Sequence, residues 1–163
     1  MNGVRTGPHP PKSLYWSILL ITLAVFLLGT LGFNGGPRRL SYNLIPFRNI
    51  VQEGLCLFSE CEQRPSLAFF ALNLVGNALI LSPLGYSLFR LTSPRRLSRR
   101  GRILLALLAG LILSLSIETL QLLYAGRYSD INDIVLNGLG ALMGAWIASR
   151  HERERRPNTH VKQ

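Results

Sequence analysis

Four long apolar runs constrain this chain more than any other feature of its sequence. They cover residues 14–33, 66–89, 103–124 and 131–149. Each is close to the ~20 residues that a helix needs to cross the ~30 Å hydrocarbon core of a bilayer. We therefore expect an all-α integral membrane protein whose residues 14–149 form a four-helix transmembrane bundle. The Gly- and Pro-rich residues 1–13 are expected to be disordered, and residues 150–163 form a basic tail.

The distribution of basic residues predicts how these helices are oriented. The formal charge is +10, and most of the 18 Lys and Arg residues lie before the first run, between the second and third, or after the fourth. Cytoplasmic segments of membrane proteins carry an excess of Lys and Arg. We therefore expect both termini in the cytoplasm and one long outer loop over residues 32–65. We expect membrane lipids as partners of these basic segments, because anionic headgroups attract positive charge. The basic residues lack the aromatic platforms and motifs of a nucleic-acid site, so we expect no nucleic-acid partner.

Proline and small residues within the runs predict how the helices bend and pack. Pro83 and Gly85 predict a kink near the inner end of the second helix, where neighbouring helices must satisfy the freed backbone groups. Gly140, Gly144 and Ala148 give the fourth helix a face of small residues on which another helix packs closely.

The outer loop contains an apolar stretch, residues 42–48, that is too short to span a membrane. It suits a segment at the membrane interface or dipping into the bundle, and equally an ordinary loop with an aromatic anchor. Cys56 and Cys61 follow it. An oxidising exterior would permit a disulfide between them, and two free thiols are the alternative.

Polar and ionisable residues cluster near the outer ends of the last three runs. Such residues are costly inside a bilayer and mark functional sites by default. At 1.5 Å per residue, Asn73, Glu118, Asp133 and Asn137 fall in one layer of the outer leaflet, although they come from three helices. The candidate ligand-binding residues are Asn43, Asn73, Asn77, Glu118, Gln121, Arg127, Asp130, Asp133 and Asn137.

The residue types in this layer narrow its chemistry. All 3 histidines lie in the terminal segments, as do both lysines, so we expect no metal site, no cofactor and no Ser-His or Ser-Lys nucleophile. Carboxylates remain for acid/base chemistry, with Glu118 and Asp133 as the catalytic candidates. Alternatively, Arg127 and the carboxylates form a neutral network that only holds the third and fourth helices together.

The order and spacing of these residues resemble the VanZ-like family over residues 43–149. The motifs that carry the resemblance are Asn43-x-x-Pro46-Phe47, Asn73 with Asn77, Pro83-x-Gly85, Glu118-x-x-Gln121, Arg127-x-x-Asp130-x-x-Asp133-x-x-x-Asn137 and Gly140-x-x-x-Gly144. The resemblance implies a small bacterial integral membrane protein acting at the cell envelope. The family's namesake is associated with low-level resistance to the glycopeptide teicoplanin, and the resemblance implies no particular reaction.

Three functional hypotheses follow for this chain in the bacterial plasma (inner) membrane. The first is an outer-leaflet pocket that binds a lipid-linked or glycan ligand from the cell wall, with a link to glycopeptide resistance. The second is a membrane enzyme that uses carboxylate acid/base chemistry on a lipid-linked substrate. The third is a non-catalytic assembly module in which the charges join helices.

Overall fold

The computed structural model describes residues 10–31, 41–59, 61, 66–92, 94, 96–125 and 128–154. Most of the N-terminal segment, the end of the basic tail and Arg127 therefore lie outside the described residues. The helices and strands are α1 (Lys12–Leu31), β1 (Ser41–Asn43), α2 (Arg48–Cys56), α3 (Leu67–Ile80), α4 (Ser82–Leu91), α5 (Arg99–Leu120), β2 (Tyr128–Asp130) and α6 (Ile131–Glu154).

The described residues contain 4 helical segments that are long and apolar enough to cross a membrane. They are Lys12–Gly29, Leu67–Leu91, Arg99–Leu123 and Ile131–Glu154. They match the four runs in the sequence, and the expected four-helix transmembrane fold is confirmed. The cytoplasmic position of the termini stays a prediction.

The second span is interrupted at Leu81, close to the kink that Pro83 and Gly85 predict. α3 ends at Ile80, Leu81 is fully buried, and α4 begins at Ser82 with Pro83 in its first turn. Proline is tolerated there because the first N–H groups of a helix have no intrahelical partner. Gly85 serves a different purpose, because a side chain at this position would collide with the backbone of Ala141 in α6.

α6 is the central helix and packs against α3, α4 and α5. Its small residues allow this: a Cβ atom on Gly140 would meet the carbonyl of Ala78, and one on Gly144 would meet the carbonyl of Ser82. The small face expected from Gly140 and Gly144 is therefore the surface that approaches α3 and α4. Ala148 is also fully buried.

The apolar core lies between α1, α4, α5 and α6 and includes Phe26, Leu81, Leu84 and Ile117. Many large apolar side chains instead point outward, among them Leu28 and Leu72. An outward apolar surface around a buried core suits helices surrounded by lipid, which offers no hydrogen bonds to polar groups.

The loop between the first and second spans, which we call the outer loop after its expected side of the membrane, contains structure that the sequence did not predict. β1 pairs in parallel with β2, with Asn43 opposite Asp130, and α2 follows β1. β1 is therefore attached to the bundle through β2, which directly precedes α6. Each strand has only 3 residues, and partners far apart in sequence leave no local pattern from which such a pair can be predicted. Cys56, the last residue of α2, forms a disulfide with Cys61, so the structure resolves the two alternatives.

Candidate functional site

Polar side chains from the outer loop, β2, α3, α5 and α6 meet at one end of the bundle. We call them the polar cluster. Its members are Asn43, Asn49, Asn73, Asn77, Glu118, Asp130, Asn132 and Asp133. Six of them were predicted from the sequence, and Asn49 and Asn132 were not.

Asp130 is the centre of the cluster. It ends β2 and directly precedes α6, where carboxylates commonly accept hydrogen bonds from the first turn. Its Oδ1 accepts from the side chain of Asn43 at 3.1 Å and from the backbone N–H of Asn132 at 3.0 Å. Its Oδ2 accepts from the side chain of Asn49 at 2.7 Å. One carboxylate therefore joins β1, α2 and the start of α6.

Asp133 joins α3 to α6. Its Oδ1 accepts a hydrogen bond of 2.6 Å from Asn77 Nδ2, which also lies 3.3 Å from Asn73 Oδ1. Asp133 lies in the first turn of α6, where the positive end of the helix dipole favours a carboxylate. Asn77 therefore bridges Asn73 and the carboxylate of Asp133.

Glu118 connects α5 to the same cluster. Its side chain is only 5% exposed, and its Oε2 accepts from the backbone N–H of Asp130 at 3.1 Å. Gln121, also 5% exposed, begins a π-helical turn that ends α5 and runs to Ala125. Turns of this kind are rare and occur frequently at functional sites. The burial of Glu118 and its hydrogen bond to Asp130 therefore hold its carboxylate inside the protein.

Asn137 lies deeper and has a different role. Its Nδ2 donates to Ser114 Oγ at 2.9 Å, and both side chains are buried. This hydrogen bond links α5 to α6, as polar residues inside membrane bundles often do. Although the spacing predicted Asn137 as a ligand-binding residue, it lines neither of the two cavities described below.

Asn49 and Asn132 hold the outer loop on the bundle. Asn132, 3% exposed, accepts from the backbone N–H of Phe47 at 2.5 Å. Phe47 has a φ of 63°, a left-handed conformation that is unfavourable for a residue with a bulky side chain. The sequence signals for these two residues were an amide directly after the apolar stretch 42–48 and an amide beside Asp133.

Two cavities lie on either side of residues 130–133. The polar pocket has a volume of about 30 Å³, comparable to one water molecule. Its lining residues are Asn49, Ile50, Glu53, Phe70, Asn73, Leu74, Asp130, Asn132, Asp133 and Leu136. Helix α2 forms one of its walls.

The second cavity, the apolar groove, has a volume of about 380 Å³, within the range of small-molecule sites. Its lining residues are Tyr42, Leu44, Leu115, Glu118, Thr119, Leu122, Ser129, Ile131 and Ile134. Most of this wall is apolar, and Glu118 is the carboxylate in it. The groove therefore combines space for a hydrocarbon group with one buried ionisable side chain.

The described residues contain no group of three or more His, Cys, Asp or Glu side chains arranged to hold a metal ion. Carboxylates and amides are the chemically active groups of the polar cluster. They suit hydrogen bonding to hydroxyl and amide groups, and the carboxylates suit proton transfer.

Comparison with known proteins places the chain in a family. A family model described as VanZ/LLP1 matches residues 14–151. This range contains all but the first residues of the first spanning helix and the last residues of the fourth, and it contains every residue of the polar cluster. No curated protein and no solved structure matched the chain. Because the family model covers well over half of the sequence, the chain belongs to the VanZ/LLP1 family and is a multi-pass membrane protein.

Proposed function

We propose that the protein binds a lipid-linked or glycan ligand of the bacterial cell envelope at the polar cluster. The observation that carries this proposal is the position of Glu118, whose buried carboxylate lines a ligand-sized groove with otherwise mainly apolar walls. An ionisable group is costly in such surroundings, which makes function the default explanation for it.

The apolar groove suits both parts of an amphipathic ligand. One wall of the groove is apolar and suits a hydrocarbon chain; it is formed by Leu115, Leu122 and Ile134. Polar groups of the ligand would meet Glu118 and Ser129 at the same groove. Hydroxyl groups of a glycan both donate and accept hydrogen bonds, so they match a site built from amides and carboxylates.

The topology expected from the basic residues puts the polar cluster in the outer leaflet of the plasma membrane. A ligand there would be a lipid-linked intermediate or glycan of the cell wall. Membership of the VanZ/LLP1 family supports an envelope role and directs the first functional test to teicoplanin.

One observation favours catalysis as a second candidate function. Glu118 faces a groove large enough for a substrate, and a carboxylate so placed suits a general acid or base. On this alternative, Glu118→Gln would retain ligand binding and lose turnover.

Teicoplanin susceptibility tests whether function resides in the polar cluster. A teicoplanin-sensitive bacterial host would express the wild type, Glu118→Gln or Asp133→Asn, with the membrane level of each measured by blotting. We expect the wild type to raise the inhibitory concentration and both variants to return it to that of the empty host. Removing the charge weakens the interactions of each carboxylate, while the side-chain size is kept.

Glu154→Gln is the matched control, because this exposed carboxylate lies at the far end of α6. It should protect as well as the wild type. Full protection by a Glu118→Gln protein that accumulates normally would contradict a role for the cluster. Absence of protection by an abundant wild type would contradict the link to glycopeptide resistance.

A further inference from the structure

At the end of the bundle opposite the polar cluster, the start of α5 and the end of α6 bring three arginines together. We call Arg99, Arg150 and Arg153 the arginine cluster. Arg150 and Arg153 are three residues apart on α6 and so lie on one side of that helix. Both interact electrostatically with Arg99 of α5.

Arg99 is held across the junction of the two helices. Its Nη2 donates to Ser149 Oγ at 2.9 Å, and Ser149 is completely buried. The Oγ of Ser149 donates in turn to the carbonyl of Trp146 at 2.6 Å. This guanidinium therefore has a fixed position between α5 and α6.

Arg150 is held by an aromatic ring. Its guanidinium carbon lies 4.7 Å from the ring centre of Trp146, one helical turn earlier, in a cation–π contact. Trp146 is 48% exposed. Tryptophan is enriched where a membrane meets water. The pair therefore marks the level of the lipid headgroups.

Among the described carboxylates, one interacts with Arg99 against the three positive charges of this cluster, that of Glu152. Glu152 is the acidic neighbour of Arg99, and it forms an ion pair of 2.8 Å with Arg102 instead. Among the residues that the structure describes, none of the three arginines is in an ion pair. Three cations that repel one another at a helix junction favour an anion between them.

We propose that the arginine cluster binds the phosphate of an anionic phospholipid headgroup. Guanidinium groups suit phosphate because they present several N–H donors in a fixed geometry. Basic pockets between transmembrane helices bind acidic headgroups in this way. The source is a membrane lipid, because Trp146 and Arg150 lie at the end of a membrane-spanning helix. This site is separate from the polar cluster and does not depend on the proposed function.

Binding of phosphatidylglycerol to the purified full-length protein tests the proposal. Native mass spectrometry in detergent would compare it with phosphatidylcholine of the same chain length. We expect tighter binding of phosphatidylglycerol, weakened about fivefold by either Arg99→Gln or Arg150→Gln, since each arginine near a lipid surface contributes ~1 kcal/mol. Arg150→Gln keeps the hydrogen bonds described above, so its result does not depend on the Arg99–Ser149 contact.

Arg100→Gln is the matched control: it removes the same charge from the same turn of α5, at an exposed side chain outside the cluster. It should weaken binding less than about twofold, as expected for a solvent-screened charge outside the cluster. Equal losses for Arg99→Gln and Arg100→Gln would overturn the proposal, as would equal binding of the two lipids. Displacement of phosphatidylglycerol by millimolar inorganic phosphate would overturn the assignment to a lipid.

Discussion

At the scale of single residues, Asp130 shows how one side chain supports a whole site. Both of its oxygens accept hydrogen bonds from side chains, from Asn43 and Asn49, and one also accepts from the backbone N–H of Asn132. Its own N–H donates to Glu118. Asp130 therefore positions the groove carboxylate and the loop that borders the polar pocket. The sequence predicted Asp130 as a site residue because it belongs to a motif. Its role in positioning Glu118 and the loop is seen only in the structure.

We predict that Asp130→Ala loosens the outer loop. Hydrogen bonds to a charged group contribute ~1.5–3 kcal/mol each, so the variant should lose about 2 kcal/mol or more of stability. Hydrogen exchange of the purified protein should show faster exchange over residues 41–56 and little change in α1. Asp130→Asn keeps one acceptor oxygen, so its exchange rate over residues 41–56 should lie between those of the wild type and Asp130→Ala. Unchanged exchange over 41–56 in Asp130→Ala would contradict this role.

At the scale of helices, α6 determines how closely the bundle packs. Gly140 and Gly144 face the backbone of α3 and α4, and a side chain at either position would require those helices to move apart. Without a hydrophobic force between helices in lipid, close van der Waals packing of this kind holds them together. Gly76 offers a contrast, because a Cβ atom there would meet no other atom within 4 Å.

We predict opposite outcomes for alanine at two helical glycines. Gly144→Ala should destabilise the bundle by ~2 kcal/mol, because overpacking forces the backbone to shift. Gly76→Ala should be neutral or stabilising by up to ~1 kcal/mol, because alanine favours helix. The fraction of protein that remains soluble after heating in detergent measures both. Equal stability of the two variants would show that α4 and α6 do not depend on this contact.

At the scale of the whole molecule, local sequence patterns predicted the membrane spans but did not predict contacts between residues far apart in the chain. Run lengths predicted the four helices, and Pro83 predicted the break between α3 and α4. Helix depth brought Asn73 and Asp133 to one level, and the structure joins them through Asn77. Nothing local, however, predicts that residue 43 pairs with residue 130. For the same reason, the sequence did not predict the hydrogen bond from Asn49 to Asp130. Helix depth alone also did not distinguish Asn137, which joins α5 to α6, from residues that line a cavity.

The central claim is that the apolar groove and the polar cluster form one ligand site. Measuring which lipids the purified protein retains tests this claim most directly. Leu115→Trp would fill the groove from a side chain that is partly exposed. Leu108→Trp is the matched control, since Leu108 lies about two turns earlier on the same face of α5, outside the groove. Lipids extracted with each protein in mild detergent would be identified by mass spectrometry.

We predict that the wild type and Leu108→Trp retain a lipid-linked species far above its abundance in the membrane, and that Leu115→Trp loses it while folding normally. The added indole would occupy the space of the bound hydrocarbon chain. The same bulk lipid profile from all three proteins would contradict the account.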